Sequence, residues 1–464
     1  MDERIEHDSL GEVRVPAEAR WGAQTQRAIE NFPISGRTID HRVIAHLAAI
    51  KRAAASVSGG RDDVRVSPEM AAAIVMAADE VLAGDWDDQF PVDVFQTGSG
   101  TSTNMNVNEV IAHRASELAG IEIHPNDHVN ACQSSNDVFP TAMQLATIDA
   151  LSETVEAVDE LCDALADRAE EFANVVSVGR THLMDAAPVM LGDQFAGWAG
   201  QLDVADRTLP AVLDELSIVP LGGTAVGTGL NCPPGWAEAV LELLSAASDR
   251  ELHRSEEPLA AQCGREAMVT ASGWLRLVAT SVCKIANDLR LLASGPETGF
   301  GQIALPAIQP GSSIMPGKVN PVLCETAVQV SLRVMGNDAT VGFAAASGQL
   351  EINATMPLHA MCVLESADLL TNACKTLARR CVLDITADAE RCRQLAEASP
   401  AIVTGVAPVV GYEVAAHAVQ RMSREGIAAT AALIAEGVDP ALLATIADRL
   451  DPAVLARGSR SPAR

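Results

Sequence analysis

From about Pro140 onward, apolar residues recur at a spacing that gathers them on one side of a helix. Leu145, Ile148, Leu151, Val155, Val158, Leu161, Leu165 and Phe172 follow one another at steps of three, four and seven. Asp149, Glu153, Glu156, Asp163 and Asp167 fall on the other faces. This is the pattern of a long amphipathic helix with a bundle-type seam. Similar stretches run over roughly 189–216, 235–247, 258–293, 322–345 and 355–382. Several helices of this length with little strand signal predict a mainly α chain built on an elongated central bundle. Hydrophobic residues make up 48% of the sequence but aromatic ones only 3%, so the core must rest on Ala, Leu, Val and Ile. Small side chains of that kind let helices pack closely.

Three segments are expected along the chain. Residues 1–133 read as a mixed helical domain with extended or turn-rich pieces, two modest helices and a Gly/Ser/Thr/Asn-rich run from Gln96 to Glu109. Residues 134–389 hold the long-helix bundle. Residues 390–464 form a small helical domain, with helices near 412–425, 428–436 and 440–448, and a disordered tail from Arg457. A net charge of −28 argues against nucleic acid or an acidic membrane surface as partner. It does not exclude a small anionic ligand, because local cations and amides outweigh a distant surface charge. No apolar run is long enough to span a membrane, and the first residues lack the basic and apolar regions of a secretory signal. The ten cysteines are scattered, without a C-x-x-C pair, and read as small buried hydrophobes in a reducing compartment. A cytoplasmic protein is expected.

Four polar segments interrupt this helical background. In Gln96-Thr97-Gly98-Ser99-Gly100-Thr101, hydroxyls and flexible glycines suit carboxylate binding through backbone N–H groups and Thr101, and equally a turn that caps a helix. His124-Pro125-Asn126-Asp127-His128 places two histidines four apart, but Pro-Asn-Asp between them predicts a turn rather than a shared helix face, which argues against a metal pair. Ser134-Ser135-Asn136-Asp137 follows, offering neutral donors for a diacid. Gly179-Arg180-Thr181-His182 supplies a histidine that needs a carboxylate to orient it, and Glu325 is a candidate.

The fourth segment, Gly311-Ser312-Ser313-Ile314-Met315-Pro316-Gly317-Lys318-Val319-Asn320-Pro321, combines hydroxyls, a glycine-framed bend, a cation and an amide. Abstracting a proton from carbon beside a carboxylate generates negative charge that needs a cation and N–H donors close by. Serine becomes basic enough only as an oxyanion held by Lys318 and by the amides of a tight loop.

Together with Glu6-His7-Asp8-Ser9-Leu10-Gly11 and Trp21-Gly22-Ala23-Gln24-Thr25-Gln26, these segments resemble the class II, metal-independent fumarases of the fumarase/aspartase superfamily over nearly the whole chain. Ser-Ser-Asn-Asp at 134–137 and the wording at 96–101 favour fumarases over aspartases, which leaves aspartate ammonia-lyase as the alternative. The resemblance implies a fumarate hydratase of the tricarboxylic acid cycle, working without cofactor or metal on a dicarboxylate. It makes Ser312 the base and His182, held by Glu325, the partner on the opposite face, with Lys318 and Asn320 on the carboxylate. Substrate contacts fall to Ser99, Gly100, Thr101, Ser134, Ser135, Asn136, Thr181, Ser313 and Val319 as well as Lys318 and Asn320. A secondary dicarboxylate site is implied around His124, Pro125, Asn126 and Asp127. A homotetramer is implied, with each active site shared among three subunits. Two departures stand out: Ile121 where some fumarases carry a basic residue, and Ala407 where members often carry asparagine.

Overall fold

The computed structural model describes residues 2–248 and 250–458. Helix dominates it. The seam read from Leu145 to Leu165 lies in one 37-residue helix, Ser135–Glu171, which starts five residues before Pro140 and carries that proline within its first turns; Phe172 falls in the turn just past its end. Long helices also span Glu266–Leu292, Val322–Ala346 and Met356–Arg380. Among the described residues no helix is long and apolar enough to cross a membrane.

Two expected helices prove to be broken. The 189–216 stretch opens on the end of a strand, Met184–Met190, then splits at Asp203 into Leu191–Leu202 and Val204–Leu216. The 258–293 stretch divides into Pro258–Cys263 and Glu266–Leu292 around Gly264, whose backbone is extended and whose added Cβ would lie 2.8 Å from the Ala260 carbonyl oxygen. Periodicity alone does not register such one-residue breaks. The N-terminal segment carries four helices where two were expected: Ala23–Asn31, His41–Ser58, Pro68–Leu82 and Thr101–Ala119. The turn read at 125–129 is a single π-helical turn, Pro125–Val129. Of the expected tail, Arg457 ends the helix Pro452–Arg457 and residues 459–464 lie outside the described residues.

The chain forms two compact units. One comprises Met1–Val155, Arg207–Leu277 and Arg333–Leu370. Its core is aliphatic, with Val138, Ala142, Met143, Ala146 and Leu151 essentially free of solvent. Thr141, Thr147 and Thr154 share that burial and satisfy their hydroxyls on the carbonyls four residues back, which lets a helix be buried on its polar side too. Glu109 fixes the N-terminal segment: its carboxylate accepts from the Gly22, Gln24 and Thr25 amides at 2.9, 2.9 and 3.1 Å, and from the Thr25 hydroxyl at 2.6 Å.

The other unit comprises Glu156–Asp206, Val278–Leu332 and Thr371–Arg464. It holds the antiparallel hairpin Val176–Thr181/Met184–Met190 and the short helices after residue 389. Ile402, Val403, Val406, Ala418, Ala432 and Leu433 form a core for those helices. Five of the ten free cysteines are buried and five half-buried, so the reading of small hydrophobes holds fully for Cys324, Cys362, Cys374, Cys381 and Cys392.

Candidate active site

In the first unit, the Gln96–Thr101 segment is a tight turn leading into the helix Thr101–Ala119. Gly100 has φ of 72°, and a Cβ there would fall 2.3 Å from the ring of Phe139. Gly98 is closer still to its neighbour: an added Cβ would sit 1.8 Å from the carbonyl oxygen of Ala354. Both glycines therefore answer to close packing as well as to turn geometry. Gln96 performs the capping, its Oε1 accepting from the Thr103 amide and hydroxyl at 2.9 Å each. The half-buried Ser99 and Thr101 share a 2.8 Å hydroxyl contact at the start of the helix.

Phe139 lies in the helix that opens with Ser135, so the turn and the start of that helix are neighbours. Ser134-Ser135-Asn136-Asp137 is a capping box. Ser134 Oγ accepts from the Asn136 amide at 3.2 Å, and Asp137 Oδ1 accepts from the Ser134 amide at 2.9 Å. The other Asp137 oxygen accepts from the amides of Gly222 and Thr224 at 3.1 and 2.9 Å, tying the cap to the glycine-rich loop at 220–231. Asn136 donates to the Ala225 carbonyl at 2.8 Å. Burial pushes the Asp137 carboxyl up to about 6 against the pull of these amides.

Beneath this segment lies Lys51, fully buried, which the sequence reading passed over. Its Nζ donates to Asn130 Oδ1 and Gln133 Oε1, both at 2.9 Å. Burial lowers its pKa to about 7, with the charge of Asp137 acting the other way. A cavity of about 950 Å³ is lined by Asn126, Asp127, Asn130, Gln133 and Ser134, among others. At its rim, His124 Nδ1 accepts from the Asn126 and Asp127 amides at 3.3 and 3.2 Å, while His128 Nδ1 accepts from the His124 amide at 2.9 Å. Both Nδ1 atoms act as acceptors, which leaves the proton of each neutral ring on Nε2.

His359, on the helix Met356–Arg380, is a second buried titratable group that the sequence reading did not single out. Among the described residues neither ring nitrogen has a hydrogen-bond partner. Burial, with the Arg265 charge adding to it, lowers its pKa to about 4. In the unfolded chain the same ring takes its proton near 6.5. Between those values the unfolded state binds more protons, so stability is full above 6.5 and drains away as pH falls toward 4. The loss is on the order of 3 kcal/mol by linkage. Denaturant midpoints of the H359L variant should accordingly show a flatter decline over that window than the parent; an unchanged slope would remove His359 as the cause.

In the second unit, His182 and Leu183 form the two-residue turn of the hairpin, with Thr181 opposite Met184. Their φ angles are 56° and 61°, the left-handed conformation that such turns demand and that glycine or asparagine usually supplies. Holding two other side chains there costs about 1–3 kcal/mol each, a form of strain that clusters at functional positions. The tip is exposed, Leu183 by 67% and Met184 by 70%. The hairpin base is anchored: Arg180 stacks on Phe300 at 4.0 Å and donates to Gln302, which in turn donates to Ser177 at 2.6 Å.

The 311–321 loop closes on itself through Gly311 N to Lys318 O and Asn320 Nδ2 to Gly311 O, both at 2.7 Å. Inside it, Ser312 Oγ accepts from the amides of Ile314 and Met315 at 3.2 and 2.9 Å. Those two N–H groups form the cradle that a basic serine needs. Ser313, Lys318 and Val319 are exposed, and the loop borders a cavity of about 620 Å³. Asn320 spends one amide hydrogen on the loop itself, and Glu325 is half-buried one turn into the following helix. Within one chain, among the described residues, His182 and Glu325 form no ion pair.

A family model described as lyase matches residues 11–336. The chain is 50% identical over 424 residues to the class II fumarate hydratase of Mycobacterium tuberculosis H37Rv, covering 91% of this chain and 89% of that one. With the class II fumarate hydratase of Corynebacterium glutamicum it shares 49% identity over 425 residues, with the same coverage. The crystal structure of recombinant class II fumarase from Schistosoma mansoni superimposes with a TM-score of 0.96 at 37% identity, covering 99% of this chain and all of that one.

Proposed function

The chain belongs to the class II fumarases of the lyase family, and from that premise we propose that it interconverts fumarate and (S)-malate with Ser312 as the base. It is a hydro-lyase: malate loses a proton from C3 to a base on one face and hydroxide from C2 to an acid on the other, a net loss of water. The observation that carries the assignment is the pair of amides on Ser312 Oγ. An alkoxide seated there is stabilised by fixed N–H dipoles, each such donor contributing about 2.7–4 kcal/mol in a water-excluded site. Ser312 takes the C3 proton. Lys318 and Asn320 face the adjoining carboxylate, where the aci-carboxylate charge develops. His182, oriented by Glu325, protonates the departing hydroxide from the opposite face, as anti elimination requires.

The remaining residues bind. Ser99, Gly100 and Thr101 offer hydroxyls and the amides of a long helix's N-terminus to one carboxylate. Ser134, Ser135 and Asn136, with Thr181, Ser313 and Val319, hold the rest of the diacid. His124, Pro125, Asn126 and Asp127 form a secondary dicarboxylate site, with Ile121 nearby supplying no charge. The active enzyme is a homotetramer in the cytoplasm, its sites each assembled from three subunits, and it serves the tricarboxylic acid cycle.

Ultraviolet absorbance of the fumarate double bond tests the substrate. Absorbance is expected to rise when the enzyme meets malate and to stay flat with aspartate. A rise with aspartate alone would make the protein an ammonia-lyase and end the hydratase reading.

A further inference from the structure

The entry to Ser134-Ser135-Asn136 is held under strain at Cys132, and one buried lysine sits at the point of restraint. Cys132 has φ of 65°, left-handed backbone that a cysteine avoids unless its surroundings over-determine it. The next residue, Gln133, is gripped from three sides. Its Oε1 accepts from Lys51 Nζ at 2.9 Å, its Nε2 donates to the carbonyls of Val129 and Ala131 at 3.1 Å each, and its own carbonyl accepts from Asn130 Nδ2 at 3.2 Å.

Lys51 also sets Asn130. It donates to Asn130 Oδ1 at 2.9 Å, an oxygen that receives Asn108 and Asn104 at 3.1 and 3.2 Å as well. Asn104 reaches on to Ser135 Oγ at 3.4 Å. A fully buried lysine is costly, and among the described residues no carboxylate lies within ion-pair distance of this one. Its two acceptors, both neutral amides, belong to the four residues that lead into Ser134.

We infer that Lys51 is a positioning residue for substrate: by binding Asn130 and Gln133 together it locks the strained entry to Ser134-Ser135-Asn136 in the conformation that receives the dicarboxylate. The inference rests on the reading that this serine–asparagine segment binds substrate. The capping box from Ser134 to Asp137 does not involve Lys51, so the helix start survives when the lysine is changed. The segment then relaxes at Cys132 and Gln133, and the loss falls on binding rather than on the proton transfers at Ser312 and His182.

K51M, of similar length and without charge or donor, tests this by separating KM from kcat. KM for malate is expected to rise at least about tenfold with kcat within about threefold of the parent, the signature of lost uniform binding. Q133M removes the acceptor instead and should raise KM in the same sense. The double variant should be no worse than the more impaired single one, because both break one linkage. A KM within twofold of the parent in assembled K51M, an equal fall in kcat at unchanged KM, or additive effects in the double variant would each overturn the inference. Should K51M fail to assemble, K51Q, which keeps one neutral donor, is expected to raise KM at least about threefold, and no rise there overturns it equally. N136A reports on the underlying reading: if its KM stays at the parental value, the segment does not bind substrate; if it rises while K51M is silent, only the role of Lys51 falls.

Discussion

Replacing Ser312 by alanine is expected to lower kcat by about a thousandfold, with the quaternary state and melting temperature close to those of the parent, since a positioned base contributes typically 10²–10⁴-fold. The hydroxyl is the group in this loop whose oxygen is already met by two amide donors, at 3.2 and 2.9 Å. Removing it leaves the Lys318 cation and the Asn320 amide in place to bind the carboxylate, but nothing at that position to take a proton from carbon. The loop should keep its shape, because its closing bonds run between Gly311 and both Lys318 and Asn320 and do not pass through Ser312. The effect should therefore sit in kcat, with KM changed much less. Steady-state kinetics with malate, alongside a thermal melt and a sedimentation profile, make the comparison. Turnover undiminished in S312A would reject the base assignment.

Much of this is legible in the sequence, and what is not has identifiable causes. The long helix through Leu145 and Leu165 announces itself because its apolar period continues for many turns, far longer than chance alternation sustains. Its start was missed because Pro140 looked like a boundary; the helix begins at Ser135 and runs through the proline, which forgoes one bond to the carbonyl four residues back. The breaks at Asp203 and Gly264 are single residues inside otherwise continuous patterns. The loop at 311–321 was legible from residue types alone, since cation, amide, hydroxyl and glycine lie within eleven positions. Which amides cradle Ser312 was not, because any of several nearby N–H groups could have served.

Lys51 and His359 were invisible for a different reason. Each sits among apolar residues of its helix, and each owes its properties first to burial and then to groups far away in sequence: Lys51 to Asn130 and Gln133, His359 to Arg265. Local pattern cannot report burial created by tertiary packing. The capping box at 134–137 is the opposite case. Its S-x-x-D spelling is explicit in the sequence, where the same serines also read as ligand donors, and the structure shows Ser134 serving the helix start with the lone pairs of an oxygen whose proton stays available.

Two inactive variants should restore one another's activity when mixed, and this follows from where the hairpin tip and the loop stand in a single chain. His182 occupies an exposed turn, and the loop carries Ile314 exposed by 84% and Met315 by 49%. Apolar tips of this kind, carrying the groups proposed for catalysis, fit segments completed by neighbouring subunits. H182N is the suitable partner for S312A, because asparagine tolerates the left-handed backbone at 182 and so removes the imidazole without forcing the turn. Each variant alone is expected to be nearly inactive. Unfolded together in equal amounts and reassembled, they should regain about a quarter of parental activity, since a site drawing its serine and its histidine from different subunits receives both intact with probability one half times one half. If one chain supplied both groups to a site, every site in the mixture would lack one of them, and activity would stay at the level of the separate variants.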